Sequence, residues 1–270
     1  MNHYDINQIL LPAFSFSFDG LIWRVIPDLH KPYLILEIRH SSHKVLFAVV
    51  DIHQKTLMWN NWSPSERWWS SGVAADRGIL FLQIFPDGQN PNPRGIIALN
   101  IETQQICWEQ TDLQFMQLAS DGSVLARRIK EALPEYFMLD ALSGKIIQQS
   151  DDPLFPTSIP RSSALFPVHY TSEDDYFQII EEFLSKTLKI LPKNALEYAE
   201  TKHSIIISYY IYAEDQVENY LVVFDIHSRV PLLHEKIATQ RTGIGKGTFF
   251  VFEQLLIFIK EQTLLLGYEI

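Results

Sequence analysis

Four of the chain's six tryptophans, Trp59, Trp62, Trp68 and Trp69, fall within eleven residues, set among Asn60, Asn61, Ser63 and Ser65. Indole is enriched at binding hot spots because it offers a large rigid apolar face and one polar hydrogen. Trp59 belongs to a repeat described below and is expected in the core. Trp62, Trp68 and Trp69 are candidates for a ligand or partner platform; the plainer role is to plug the cleft between two packed sheets. A second candidate is the pair Glu37 and Arg39, two apart in the strand expected over Tyr33 to Arg39 and so on one side of it, opposite Leu34, Leu36 and Ile38. Arg offers a planar donor fork and Glu an acceptor, a combination able to grip a polar ligand from a channel wall. As an ion pair on a solvated face the two would contribute only about 0–1 kcal/mol. In Ser208-Tyr209-Tyr210, strand alternation puts the two tyrosines on opposite faces, one in the core and the other, taken as Tyr209, free to present its hydroxyl to a channel or surface.

Other chemistry is weakly represented. His40 and His43 stand three apart across an expected turn with no further ligand at metal spacing nearby. Gly243-Ile244-Gly245-Lys246-Gly247-Thr248 lacks the four-residue span before Gly-Lys of a phosphate loop. It leads into a strand rather than a helix, so it reads as a flexible lead-in loop. The one cysteine, Cys107, lies in an expected strand beside Trp108 and cannot form a disulfide within the chain. No Gly-x-Ser-x-Gly elbow is present. The residues therefore nominate no catalytic group, no metal and no cofactor.

The elements that must position these side chains announce themselves by repetition. An apolar run ending in an acid or amide is followed by a turn and a second apolar strand: Val49-Val50-Asp51 then Leu57-Met58-Trp59, Ala98-Leu99-Asn100 then Ile106-Cys107-Trp108, and Met138-Leu139-Asp140 then Ile146-Ile147-Gln148. Val223-Phe224-Asp225 followed by Leu232-Leu233 is a fainter fourth copy. A unit of this size cannot bury its own apolar face and must stack on its neighbours. Around each copy the spacing predicts four-stranded antiparallel meanders, and the fold class is an all-β β-propeller. Phe14 to Phe18 alternates cleanly without a local partner, whereas the last unit, Thr248 to Ile270, has only three strands. Pairing the first strand with the last sheet would hide both edges.

Between Asp151 and Asn194 the pattern changes. Phe177, Ile180, Phe183, Leu184 and Leu188 fall at helical spacing behind Ser172, which is placed to cap, and this predicts a helical insertion over Asp174 to Thr187 and five blades. A hairpin of Tyr176 to Phe183 with Thr187 to Leu191 would instead give six blades.

The pattern of Val49 to Trp59 and Ala98 to Trp108 resembles the blades of quinoprotein-like and WD-type β-propellers. The whole sequence is similar to an uncharacterised bacterial propeller-like family of unknown function. The third copy lacks the Trp, the glycine usual in quinoprotein blades stands only at Gly144, and no Gly-His with Trp-Asp pairing occurs. The resemblance implies the fold and carries no catalytic residue across.

Composition bounds the rest. With 47% hydrophobic and 13% aromatic residues the 270-residue chain can pack a core, and no linker divides it, so one domain over residues 1–270 is expected. A net charge of −10 without a basic stripe argues against nucleic acid. No apolar run reaches the ~18 residues of a membrane span. The N-terminus is unlike a secretory signal, which makes the cytoplasm the expected location. The functional expectation is a non-enzymatic binding module that uses a propeller face for a protein or peptide; the alternative is an enzyme or small-molecule binder with a polar site at the mouth of a central channel.

Overall fold

Every copy of the repeat is a hairpin whose acid or amide caps its own turn. Asp51 Oδ1 accepts from the Gln54 N–H, Asn100 Oδ1 from Thr103, Asp140 Oδ1 from Ser143 and Asp225 Oδ1 from Ser228, at 2.7–2.9 Å. A short polar side chain satisfying a backbone donor three residues on is what holds such turns. The Ser143 hydroxyl and N–H hold the Asp140 carboxyl, and the Ser228 N–H and hydroxyl that of Asp225, below the usual carboxylate range.

The computed structural model describes residues 10–65, 68–86, 89, 95–130, 133–154, 158, 162–213, 216–241 and 243–270. Met1 to Ile9, on which the signal-peptide reading largely rested, lies outside them. Five antiparallel sheets are formed by the described residues, in two compact units. Strand β1 (Pro12–Ser17) belongs to the second unit.

The first unit, Phe18–Ser163, contains three four-stranded sheets whose strands pair in chain order. They are β2 (Leu21–Pro27), β3 (Tyr33–His40), β4 (Lys44–Asp51) and β5 (Thr56–Trp62); β6 (Ser70–Asp76), β7 (Ile79–Ile84), β8 (Gly95–Asn100) and β9 (Ile106–Gln110); and β10 (Gln114–Leu118), β11 (Val124–Lys130), β12 (Leu133–Leu139) and β13 (Ile146–Ser150). The two middle strands of the second of these sheets are buried along nearly their whole length, which is why β7 and β8 read as near-continuous apolar runs. The outermost strands are half-exposed, and there the repeat's tryptophans lock one sheet to the next. Trp59 Nε1 donates to the Ile101 carbonyl at 2.7 Å, and Trp108 Nε1 to that of Ala141 at 2.8 Å. Gly144 adopts φ +66°, and a Cβ there would come within 2.6 Å of the Trp108 ring. Trp59, expected in the core, is half-buried against it, and Trp108 is buried.

The second unit comprises Met1–Ser17 and Ala164–Ile270. It holds β14 (Val168–Thr171), helix α1 (Asp175–Leu188), β15 (Ala195–Glu200), β16 (Ser204–Ala213), β17 (Gln216–Asp225), β18 (Pro231–Arg241), β19 (Phe249–Phe252), β20 (Leu255–Lys260) and β21 (Leu264–Glu269). The order β14-β15-β16-β17-β18 makes one five-stranded sheet, and β1-β21-β20-β19 the other. The first strand therefore does complete the last sheet, in the register Phe14↔Gly267 to Ser17↔Leu264. Phe14 lies so close over Gly267 that a Cβ there would meet the ring at 2.4 Å.

The insertion predicted over Asp174 to Thr187 is indeed a helix, residues 175–188, with Phe177, Ile180, Leu184 and Leu188 buried against the sheet, in agreement with five sheets and not six. Two local expectations change. Ser172 is not the cap: Asp174 holds that position, and its carboxylate turns outward to accept from the Thr171 N–H and hydroxyl. Strand β14, too short to carry a periodic signal, widens the sheet to five.

Candidate functional site

The sequence candidates Glu37, Arg39 and Trp68 meet at one place, with Trp62 and Trp69 beside them. Glu37 lies in the middle of β3 and is fully buried. A buried carboxylate is costly unless each oxygen finds donors, and here each does. Oε1 accepts from Arg39 Nη2 at 2.5 Å; Oε2 accepts from the Ser71 hydroxyl at 2.8 Å and the Gly72 N–H at 2.9 Å. The Arg39 fork is spent in turn on the Trp68 carbonyl at 2.7 Å and the Ser70 carbonyl at 2.9 Å, and its guanidinium lies 5.3 Å from the centre of the Trp68 ring. Arg24 adds a bond to the Gly72 carbonyl at 2.7 Å. The pair expected on a solvated face is thus interior. It clasps the segment that leads into β6.

The clasp fixes the tryptophans that follow from it. Trp68 packs edge-on to Trp69, with ring centroids 6.5 Å apart, and is also met by His43 at 5.4 Å. Trp62 lies on Phe47 at 6.1 Å, and both Trp62 and Trp68 are half-buried against the core that Phe47, Val49 and Leu82 share. Trp69 is different: it is 39% exposed. The pairings Leu21↔Arg39, His40↔Lys44 and Phe47↔Trp62 put the start of β2, the β3–β4 turn and the end of β5 at one end of the sheet. Leu21 and Trp23 stand at this end on β2, 45% and 65% exposed, Trp23 where the register shifts between Ile22 and Arg24. His43 is exposed there too. Sequence reading passed over Trp23: alternation puts it on the same face as Leu21, opposite Ile22, but nothing in the strand says that this face is the exposed one.

Tyr209 does not join this group. It lies in the second unit, 1% exposed, with its hydroxyl 2.7 Å from His234 Nε2 and its ring stacked on Tyr220 at 5.7 Å. Burial raises the Tyr209 hydroxyl and lowers the His234 imidazole, so both are neutral. Its strand neighbour Tyr210 is buried as well, bonded through its hydroxyl to both the N–H and the carbonyl of Gly245.

A polar clasp of this kind recurs with an amide at one position and a carboxylate at another, and the sequence reading missed the recurrence. Gln83 on β7 donates to the Gly95 carbonyl and accepts from the Phe115 N–H of β10 at 2.6 Å. Glu197 on β15 accepts from the Gly247 N–H, and from the Thr248 N–H and hydroxyl at 2.7 and 2.6 Å, just before β19. Each sits on the second strand of its sheet and grips the chain entering the next. The loop of Gly243 to Thr248 is thus a lead-in to a strand, as its sequence suggests. The common signal is Leu36-Glu37-Ile38, Leu82-Gln83-Ile84 and Leu196-Glu197-Tyr198, a lone acid or amide inside an apolar strand.

A further polar knot joins turns of the first unit. Asp28, fully buried, accepts from the N–H groups of His30, Lys31, Arg77 and Gly78, and Asp76 meets His30 Nδ1 at 2.5 Å and Arg77 Nη1 at 2.9 Å. These carboxylates are committed to holding turns. Among the described residues no group of three or more His, Cys, Asp or Glu is arranged to hold a metal ion, and no helix is long and apolar enough to cross a membrane.

Residues 28–108 match a family model described as a domain of unknown function, DUF4905. No curated protein matches the chain. Among solved structures, a Bacteroides fragilis protein described as exported is 10% identical over 99% of this chain and 98% of its own, with a TM-score of 0.38. The WD40 domain of SCAP from fission yeast is 8% identical over 96% and 98%, with a TM-score of 0.42. The Dos1 propeller is 12% identical over 92% of this chain and 60% of its own, with a TM-score of 0.34. The matched family model has no described function. The cytoplasmic location expected from the sequence is corrected against the exported protein and is not carried further.

Proposed function

We propose that the chain is a non-enzymatic binding module that receives a protein or peptide partner on the rim formed by Trp23 and Trp69. One observation carries this reading: Trp69 is exposed on a segment whose backbone is fixed on both sides, because Arg39 binds the carbonyls of Trp68 and Ser70. An aromatic anchor already held in place loses little entropy when a partner covers it, which is the property of a hot spot. Trp62 and Trp68 contribute by packing beneath the rim, and Glu37 and Arg39 by holding it. Tyr209 has no part in it.

The test is photo-crosslinking in extract of the source cells with wild type and the double variant Trp23→Ala/Trp69→Ala, both checked for native circular dichroism. Loss of the principal crosslinked species from the variant supports the rim; recovery of the same species in equal amount removes these tryptophans from the site. The single-domain organisation over residues 1–270 belongs to the same proposal. One calorimetric transition with matching van't Hoff enthalpy supports it, and two separated transitions overturn it.

A further inference from the structure

Helix α1 interrupts the repeat, and its outer side has an unusual composition. Its buried stripe follows the 3- and 4-residue spacing of an amphipathic helix and packs on Leu196, Ile207, Val222 and Phe224. The remaining surface of such a helix is ordinarily polar. Here Tyr176 and Ile179 are 62% and 61% exposed.

Beside Ile179 a groove of about 990 Å³ opens between the helix and residues 191–194. Ile179, Leu191 and Pro192 give it an apolar floor, Leu191 being 54% exposed, and Asp175, Glu181 and Glu182 edge it with carboxylates. Lys193 is the one cation among its lining residues. Glu182 pairs with Lys186 at 3.0 Å, whereas among the described residues Asp175 and Glu181 form no ion pair. The wall opposite the helix is preformed: the Lys193 N–H donates to the Tyr210 carbonyl at 2.8 Å, the Ser172 N–H to that of Asn194 at 2.8 Å, and Asn194 Nδ2 to the Tyr212 hydroxyl at 2.7 Å.

We propose that this groove is a second binding site, independent of the tryptophan rim, and that it takes a short basic amphipathic segment of a partner protein. Apolar side chains of the segment cover Ile179 and Leu191, while its lysines or arginines face Asp175 and Glu181. Charge sign decides the occupant. An anionic peptide or anionic lipid surface is repelled by the edge, and a purely apolar ligand would leave the carboxylates partly desolvated without partners. Asp175 to Ser185 spans roughly 15 Å at 1.5 Å per residue, room for about five extended residues.

The experiment measures fluorescence anisotropy of a labelled peptide of alternating lysine and leucine against the full chain. Saturable binding is expected, weakened about tenfold or more, a loss of roughly 1.4 kcal/mol, both by Glu181→Lys/Glu182→Lys and by Ile179→Ser/Leu191→Ser. The reversal Asp151→Lys/Asp152→Lys makes the same change in net charge at exposed residues outside the groove. It is expected to leave the affinity unchanged. A peptide of alternating glutamate and leucine is expected not to bind. Absence of saturable binding to the wild type, equal weakening by the control reversal, or unchanged affinity in both groove variants overturns the site. None of the substituted residues belongs to the tryptophan rim, so the two readings fail separately.

Discussion

The tryptophan rim and the α1 groove are opposite solutions to presenting apolar surface. At the rim, exposed indoles stand on a buried ionic support, in which Glu37 and Arg39 bind the backbone that carries Trp68 and Trp69. At the groove, exposed Ile179 and Leu191 stand on an ordinary apolar interface, and the charges lie outside at the edge. The difference teaches where each surface is fragile. A support made of buried charge fails steeply when one partner is removed, because the other is left in low dielectric. A support made of apolar contact loses stability in proportion to what is cut away.

The largest expected effect lies in the sheet that β1 completes. Deleting residues 1–17 removes β1 from β21 and bares a strand edge beside Phe258 and Tyr268; the protein is expected in the insoluble fraction, and soluble protein with an unchanged melting temperature would refute that role. Next, Glu37→Ala strands Arg39, Ser71 and the Gly72 N–H, with an expected cost of about 3–5 kcal/mol in urea unfolding. A cost no greater than that of an exposed Glu→Ala change would show that the rim does not rest on the clasp.

Gly144→Ala is expected to cost about 1–3 kcal/mol, since the new Cβ meets the Trp108 ring and the backbone is left-handed. An unchanged urea midpoint would mean that the tryptophan lock has room to yield.

On the helix side the comparison sharpens into a pH effect. Burial holds His234 below its ordinary value of 6.5. As pH falls through 6.5 the unfolded chain takes up the proton first, so the stability tied to neutral His234 is complete above that value and is lost as pH falls toward the folded value. His234→Phe should flatten the fall in stability below neutrality relative to wild type, and parallel curves for the two proteins would exclude the residue as the cause. The smallest effect is that of Lys186→Ala, at most about 0.5 kcal/mol, because the Glu182 pair is exposed. A larger loss in thermal unfolding would mean that the groove edge bears on the fold.

Much of the architecture was legible because it is periodic. The Asp or Asn of each hairpin, the Trp two residues into the outer strand, and the 3- and 4-residue spacing from Phe177 to Leu188 are local patterns with local physical causes. The candidate site was legible only in its members. Glu37 and Arg39 could be placed on one face of β3, but nothing in the strand says that this face is covered by residues 68–72. Tyr209 and Tyr210 were assigned opposite faces correctly, yet both faces of β16 are buried, so alternation could not tell core from surface.

Sequence alone therefore determined the all-β repeat, its turns, the helix that interrupts it and the pairing of its first strand with its last sheet. Those follow from short-range periodicity and from the need of every strand edge to find a partner. Only tertiary structure decided that the Glu37–Arg39 pair is an interior clasp, that Trp23 and Trp69 face outward while Trp62 and Trp68 do not, and that α1 leaves Ile179 over a groove. Exposure is set by which chain segment comes to lie on a given face, and that contact joins residues far apart in sequence.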